Sequence, residues 1–246
     1  MGLGAAMNDA LQPALWVLIP AAGIGRRMGT ELPKQFLRLG SRTVLEHTLS
    51  VFLEHPAVRG VALVLSAGVD VPGLDTLRDR DRLFEVPGGA ERADSVRNGL
   101  EFLARHASPM DWVLVHDAAR PCLPVEDLDR LIQTLMEDPV GGILAARSTD
   151  TLKWSDAEGR VLETLDRNRV WRALTPQMFR LGLLREALNA ALAEAVSVTD
   201  EASAMERQGF RPRLVEGSPM NIKITRIEDL DTARVYLQKQ NRLGES

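Results

Sequence analysis

Cysteine is almost absent. Cys122 is the one thiol in 246 residues, which excludes an internal disulfide and a cysteine-based zinc site and suits a reducing compartment. A dominant charge is also missing: 30 Lys and Arg stand against 34 Asp and Glu, so no global field draws the chain to nucleic acid. Any anion site has to come from local clustering of cations. Long apolar runs are missing too. The longest, Ala14 to Ala22, is interrupted by Pro20 and is too short to cross a bilayer. Met1–Gln12 lacks the positive start and apolar core of a signal peptide, and Ala6 stands where a myristoylation motif needs Ser or Thr. These absences lead us to expect a cytoplasmic protein with neither a membrane nor a nucleic-acid partner. What is there, 45% apolar and 26% charged residues, suits a globular chain long enough to bury a sizeable core.

Strand and helix patterns alternate. Leu15–Ile19 is a continuous apolar run ending at Pro20, which predicts a strand buried on both faces. Thr43–Glu54 sets Val44, Leu45, Thr48, Leu49, Phe52 and Leu53 along one helical face. Strands are then expected at Gly60–Leu65, Trp112–Val115 and Ile143–Ala146, with a strand-like run at Leu83–Val86. Helices are expected at Ala93–Leu103 and Leu128–Met136. This order predicts an α/β fold, a mostly parallel sheet with helices on both faces and ligands at the carboxyl ends of its strands. After Arg147 the rhythm breaks. Thr151–Trp154 and Val161–Leu165 flank the turn Asp156–Gly159 and predict a hairpin arm within residues 148–172. Helices at Leu183–Leu192 and Asp200–Gln208 follow, then a strand at Arg213–Val215 and an extended piece at Asn221–Ile224. Thr225 and Glu228 have the spacing of a capping box for a last helix to about Gln238. Residues 1–13 are expected to be a flexible extension, and residues 14–240 one domain carrying the arm.

The first strand empties into Pro20-Ala21-Ala22-Gly23-Ile24-Gly25, followed by Arg26, Arg27 and, a little later, Lys34. Small residues let backbone N–H groups approach an anion closely. A tight strand-to-helix connection with solvated arginines is the plainer account. A Walker A loop is excluded, because no Lys-Ser or Lys-Thr pair occurs. A dinucleotide fingerprint fits poorly: counted from Gly23 its third position is Met28, and the second strand ends in Leu65-Ser66-Ala67-Gly68 without the acid that holds a ribose. Cations beside a glycine loop suit a triphosphate, whose transfer builds negative charge on the α-phosphoryl and the departing pyrophosphate.

Three further segments bear on a site. Gly88, Gly89 and Ser95 lie in a strand-to-helix connection that either meets a base edge or is a plain helix start. Asp117 and Arg120, in His116–Pro121, end the third long strand. An ordinary ion pair is the alternative there, and the position favours a ligand. His116 reads as a packed strand residue, and His47, His55 and His106 carry no assigned role. Lys223 sits in the apolar segment Asn221–Thr225, where a cation needs a partner.

Taken in order, these segments resemble the 2-C-methyl-D-erythritol 4-phosphate cytidylyltransferases of the non-mevalonate isoprenoid pathway. The likeness runs from about Val17 to the final helix. It rests on AAGIGRRM at 21–28, Pro33-Lys34-Gln35, GGAERADSV at 88–96, VHDAARP at 115–121 and ILAA at 143–146. It continues in DRN at 166–168, LTPQ at 174–177, TDEASA at 199–204, LVEG at 214–217 and NIKIT at 221–225. Each is weak alone; all in sequence are specific. The resemblance implies a Rossmann-like nucleotidyltransferase domain that forms a homodimer through the protruding arm. It implies that Pro20, Ala21, Ala22, Gly23, Ile24 and Gly25 wrap the phosphates of CTP, with Arg27 and Lys34 as catalytic cations at the α-phosphorus. Gly88, Gly89 and Ser95 would recognise cytosine and ribose. Asp117, Arg120, Thr199 and Lys223 would bind the polyol phosphate, and Thr151 and Arg167 would reach into the partner subunit's site. Mg²⁺ would enter chiefly on the triphosphate, with no protein ligand assigned.

The lack of an evident general base fits such a reaction. A phosphate monoester nucleophile has a second pKa of about 6 and is ionised at neutral pH, so catalysis rests on orientation and charge neutralisation. A ribitol 5-phosphate cytidylyltransferase, a sugar nucleotidyltransferase and a nucleotide sensor without turnover are the competing expectations.

Overall fold

The computed structural model describes residues 13–23, 33–69, 71, 73–74, 81–194 and 196–243. Expectations for residues 1–12 and for Ile24, Gly25, Arg26 and Arg27 lie outside the described residues. The first strand, β1 (Leu15–Pro20), shows why its run is uninterruptedly apolar. Leu15, Val17 and Ile19 enter one core, while Trp16 and Leu18 enter the opposite one. Period-2 alternation thus feeds two helical layers from a single strand.

A short hairpin, β2 (Arg38–Leu39) and β3 (Arg42–Thr43), precedes α1 (Val44–Leu53). Thr43 caps α1 by accepting from the Glu46 N–H, and the Glu46 carboxylate accepts from the Thr43 N–H in return. Then come β4 (Val58–Leu65), β5 (Leu83–Pro87), α2 (Arg92–Leu103), β6 (Trp112–Val115), α3 (Val125–Leu135) and β7 (Gly141–Arg147). The arm is β8 (Lys153–Ser155) paired antiparallel with β9 (Val161–Thr164). The chain continues through β10 (Trp171–Arg180), α4 (Leu181–Ala193), α5 (Glu201–Arg207), β11 (Arg213–Glu216) and α6 (Asp229–Lys239). Among the described residues the main sheet has the order β11-β7-β10-β6-β1-β4-β5. Its pairings are parallel except those of β10, which runs antiparallel to both β6 and β7. The expected mostly parallel sheet is therefore present. Helices α1 and α3 pack into the core on one face, and α2, α4 and α5 into the core on the other.

One local expectation is corrected, and two features go beyond what was expected. Strand β10 has no counterpart among the expected elements; Pro176 removes a ladder donor, and the structure absorbs it where the β10–β7 register breaks between Ala173 and Gln177. The expected capping box at Thr225 and Glu228 does not open the last helix. Helix α6 starts at Asp229, whose carboxylate accepts from the Thr225 and Arg226 N–H groups and from the Thr225 hydroxyl. The extended piece Asn221–Ile224 joins no ladder among the described residues. It is tethered instead by the Ile224 N–H on the Ala119 carbonyl and by the Asn221 amide on the Thr175 carbonyl.

Candidate active site

A cavity of about 330 Å³ opens at the carboxyl ends of β1, β5 and β6. Its wall contains Pro20, Ala21, Ala22, Gly23, Lys34, Gly89, Ser95, Asp117 and Lys223 from the expected site, together with Gln35 and Arg92. The loop after β1 is held from three sides. The Ala21 N–H donates to the Val64 carbonyl, and the Ser66 hydroxyl donates to the Ala22 carbonyl at 2.6 Å. The buried Gln35 amide donates to the carbonyls of Ala21 and Gly23, 2.9 and 3.0 Å away. Gln35 therefore ties the loop to the turn that carries Lys34.

Gly88 lies under this wall: a Cβ there would run into the Ala22 side chain. Its N–H donates to the Leu65 carbonyl. The Gly89 N–H donates to Ser95 Oγ, and that hydroxyl donates to the Glu91 carbonyl. Ser95 and both glycine amides are thus engaged in shaping the loop, which presents its surface to the cavity in a fixed form.

A second cavity, about 160 Å³, adjoins the first and is lined by Arg120, Thr175, Gln177, Thr199 and Asp200. Arg92, Asp117 and Lys223 line both. Asp117 is the hub. Its carboxylate meets Lys223 Nζ at 2.9 Å, Arg120 Nε at 3.2 Å and Arg92 Nη2 at 3.6 Å. Burial alone would raise the Asp117 carboxyl, but Arg92, Lys223 and Arg120 outweigh it and hold it well below the ordinary carboxylate range. Asp117 is accordingly an anion at any working pH, and the cations around it are fixed in place. The Asp117–Arg120 ion pair, the plainer of the two readings of that segment, is present, and Lys223 finds its partner in the same carboxylate.

His116 is fully buried, bonded through Nε2 to the Arg120 carbonyl and through Nδ1 to the Thr175 hydroxyl. Burial pushes it down to about 4, so it is neutral and structural, as a packed strand residue should be. Thr151 and Arg167 lie at the base of the arm and line neither cavity. Arg92 and Glu201 were missed. Glu201 is 2% exposed and accepts from Arg92 at 2.7 and 3.2 Å. In the sequence each reads as an ordinary charged residue in a first helical turn.

Among the described residues the geometry gathers cations at two joined cavities where parallel strands end, around Asp117, whose carboxyl is held too acidic to serve as a base at neutral pH. That is the equipment of a nucleotidyltransferase, which must bring two polyanions together. The particular kind follows from comparison. The profile of the 2-C-methyl-D-erythritol 4-phosphate cytidylyltransferases matches residues 15–239, and the chain belongs to that family. A relative of that name from Pseudomonas aeruginosa is 57% identical over 226 residues, covering 91% of this chain and 96% of its own. A crystal structure of 4-diphosphocytidyl-2C-methyl-D-erythritol synthase superposes with a TM-score of 0.78 at 41% identity, over 92% of this chain and 99% of that one. The cytidylyltransferase of Francisella tularensis gives a TM-score of 0.77 at 35% identity, over 91% and 100%.

Proposed function

We propose that this chain transfers the cytidylyl group of CTP to 2-C-methyl-D-erythritol 4-phosphate, giving 4-diphosphocytidyl-2-C-methyl-D-erythritol and pyrophosphate. An oxygen of the acceptor's phosphate bonds to the α-phosphorus as the bond to the β-phosphate bridging oxygen breaks. No proton needs removal first, which agrees with a buried, neutral His116. The observation that carries this reading is the pair of cavities meeting at Asp117 and its three cations. The larger cavity, under the β1 loop, suits the nucleotide, with Lys34 and Arg27 neutralising charge at the α-phosphorus. The smaller, with Arg120, Thr199 and Lys223, suits the acceptor phosphate.

Mg²⁺ belongs to the proposal as a partner of the triphosphate. The described residues contain no group of three His, Cys, Asp or Glu that would cage an ion. The ion of this proposal is bound mainly through phosphate oxygens and water, the usual habit of Mg²⁺. When bound it would offset charge on the departing pyrophosphate. The proposal includes a cytoplasmic homodimer whose arm carries Thr151 and Arg167 to the neighbouring subunit.

A pyrophosphate-release screen tests the reading, with the four NTPs set against methylerythritol phosphate, ribitol 5-phosphate and hexose phosphates, with and without EDTA. Release with CTP and methylerythritol phosphate alone, abolished by EDTA and restored by Mg²⁺, is expected. Preference for ribitol 5-phosphate or another NTP, or tight CTP binding without release, overturns it.

A further inference from the structure

Arg92 opens α2, directly after the loop that walls the nucleotide cavity, and Glu201 opens α5, directly after Thr199 and Asp200 of the acceptor cavity. The two are 109 residues apart and joined by a two-pronged ion pair. Glu201 is itself held still. The Gln177 amide donates to the Asp200 carboxylate at 2.9 Å, and the Gln177 side-chain oxygen accepts from the Ala202 N–H at 2.8 Å. The Asp200 carboxylate also caps α5 by accepting from the Ser203 N–H. From this anchored position Glu201 presents Arg92 to Asp117, so that one guanidinium faces both carboxylates. Burial works against the Arg92 charge, and Glu201, followed by Asp117, more than restores it.

A buried ion pair contributes little to stability relative to well-packed apolar residues, so its value here is geometric. Resting on the reading above, we infer that Arg92 and Glu201 are positioning residues forming one strut between the two cavities. The strut sets the Asp117 carboxylate, and through it Lys223 and Arg120, when the loop over the nucleotide is in place. Nucleotide in the larger cavity holds the Gly88–Glu91 loop and the start of α2. The strut passes that order to the side chains that meet the acceptor phosphate. CTP therefore strengthens acceptor binding, and by reciprocity the acceptor strengthens CTP binding.

Glu201→Gln keeps the shape and removes one charge, while Arg92→Lys keeps the charge and removes the fork. Calorimetry with a non-hydrolysable CTP analogue and the acceptor, each alone and together, reads the coupling; pyrophosphate release gives KM and kcat. The wild type is expected to bind the acceptor about tenfold more tightly when the analogue is present. In Glu201→Gln and Arg92→Lys this enhancement disappears and the acceptor KM rises about tenfold, while in Glu201→Gln, which alters a residue outside both cavity walls, the Kd for the analogue alone stays within about twofold. The double variant is no worse than either single one, as members of one unit behave. Thermal melting confirms that each variant is folded, and Arg92→Lys serves if Glu201→Gln is not. Retained coupling in a folded variant, or equal weakening of both ligands, overturns the inference. A wild type that releases no pyrophosphate instead overturns the functional reading, which separates the two failures.

Discussion

Lys34 lines the nucleotide cavity from a short turn pinned to the β1 loop by Gln35, and it supports no core packing. On the proposed function its contribution is to the transition state. Lys34→Ala is expected to lower kcat by about 10²–10³ while leaving the melting temperature nearly unchanged; single-turnover assays and calorimetry on the same preparation check both halves, and near-normal kcat removes Lys34 from catalysis. His116 makes the opposite kind of contribution. Burial lowers it from the ordinary 6.5 to about 4 in the folded chain. The unfolded chain therefore takes up a proton across that interval and the folded chain does not. The stability tied to neutral His116 is complete above about pH 6.5 and is progressively lost as pH falls towards 4. Melting temperatures measured every half pH unit should show this slope, and His116→Gln, which cannot titrate, should flatten it. An unchanged slope in a folded His116→Gln assigns the acid sensitivity elsewhere. Asp117, held low by its cations, loses its contribution as pH falls from the ordinary carboxylate value of 3.8 towards its lowered one, so its window lies below that of His116.

Helix α2 carries Arg92 at the site end and Gly99 at its middle, where the helix lies against β1 and β4. A Cβ on Gly99 would stand 2.6 Å from Leu18 Cδ1 and 3.0 Å from Val64 Cγ2. Both neighbours are fully buried and belong to one core cluster. Two effects compete. Alanine in a helix interior is favoured over glycine by about 1 kcal/mol, and overpacking a dense core costs about 1–3 kcal/mol. The missing side chain is what lets α2 sit close to the sheet, so overpacking should win. Gly99→Ala is expected to lose about 1–2 kcal/mol in urea unfolding, with a raised KM for CTP because the start of α2 shifts with the helix. A stabilised variant shows instead that the Leu18 side chain moves aside freely.

Over the whole molecule the arm stands out. Among the described residues its two strands pair only with each other, and Trp154, Val161 and Leu162 are 62%, 61% and 63% exposed. A lone hairpin is marginal in water, and two-fold dimers are the commonest closed assembly. Trp154→Glu is expected to shift the sedimentation profile from dimer towards monomer and to lower activity with it. Arg167→Ala is expected to raise the acceptor KM with CTP binding unchanged. Mixing it with Lys34→Ala should recover part of the activity, since a heterodimer has one site with both wild-type residues. If exchange of subunits is demonstrated and no activity returns, Arg167 serves its own subunit or none.

Local pattern by itself determined most of the scaffold. Apolar runs at β1, β4 and β6 read as strands buried on both faces, and the apolar face over Thr43–Glu54 read as the helix that became α1. The small-residue loop after β1 and the Asp117–Arg120 pair were legible because both sit where such strands end. Other features depended on contacts that no short window contains. Residues Trp171–Arg180 carry a proline that speaks against a strand, yet β6 and β7 hold them as one from both sides. Lys223 showed only its need for a partner, and the fold supplied Asp117 from more than 100 residues away. Arg92 and Glu201 look like surface charges in their own helices, and they become a half-buried strut only when α2 and α5 meet across the site. Periodicity and turn chemistry act over a few residues and can be read along the chain. The neutralisation of one buried charge by another is decided by which elements the sheet order sets side by side.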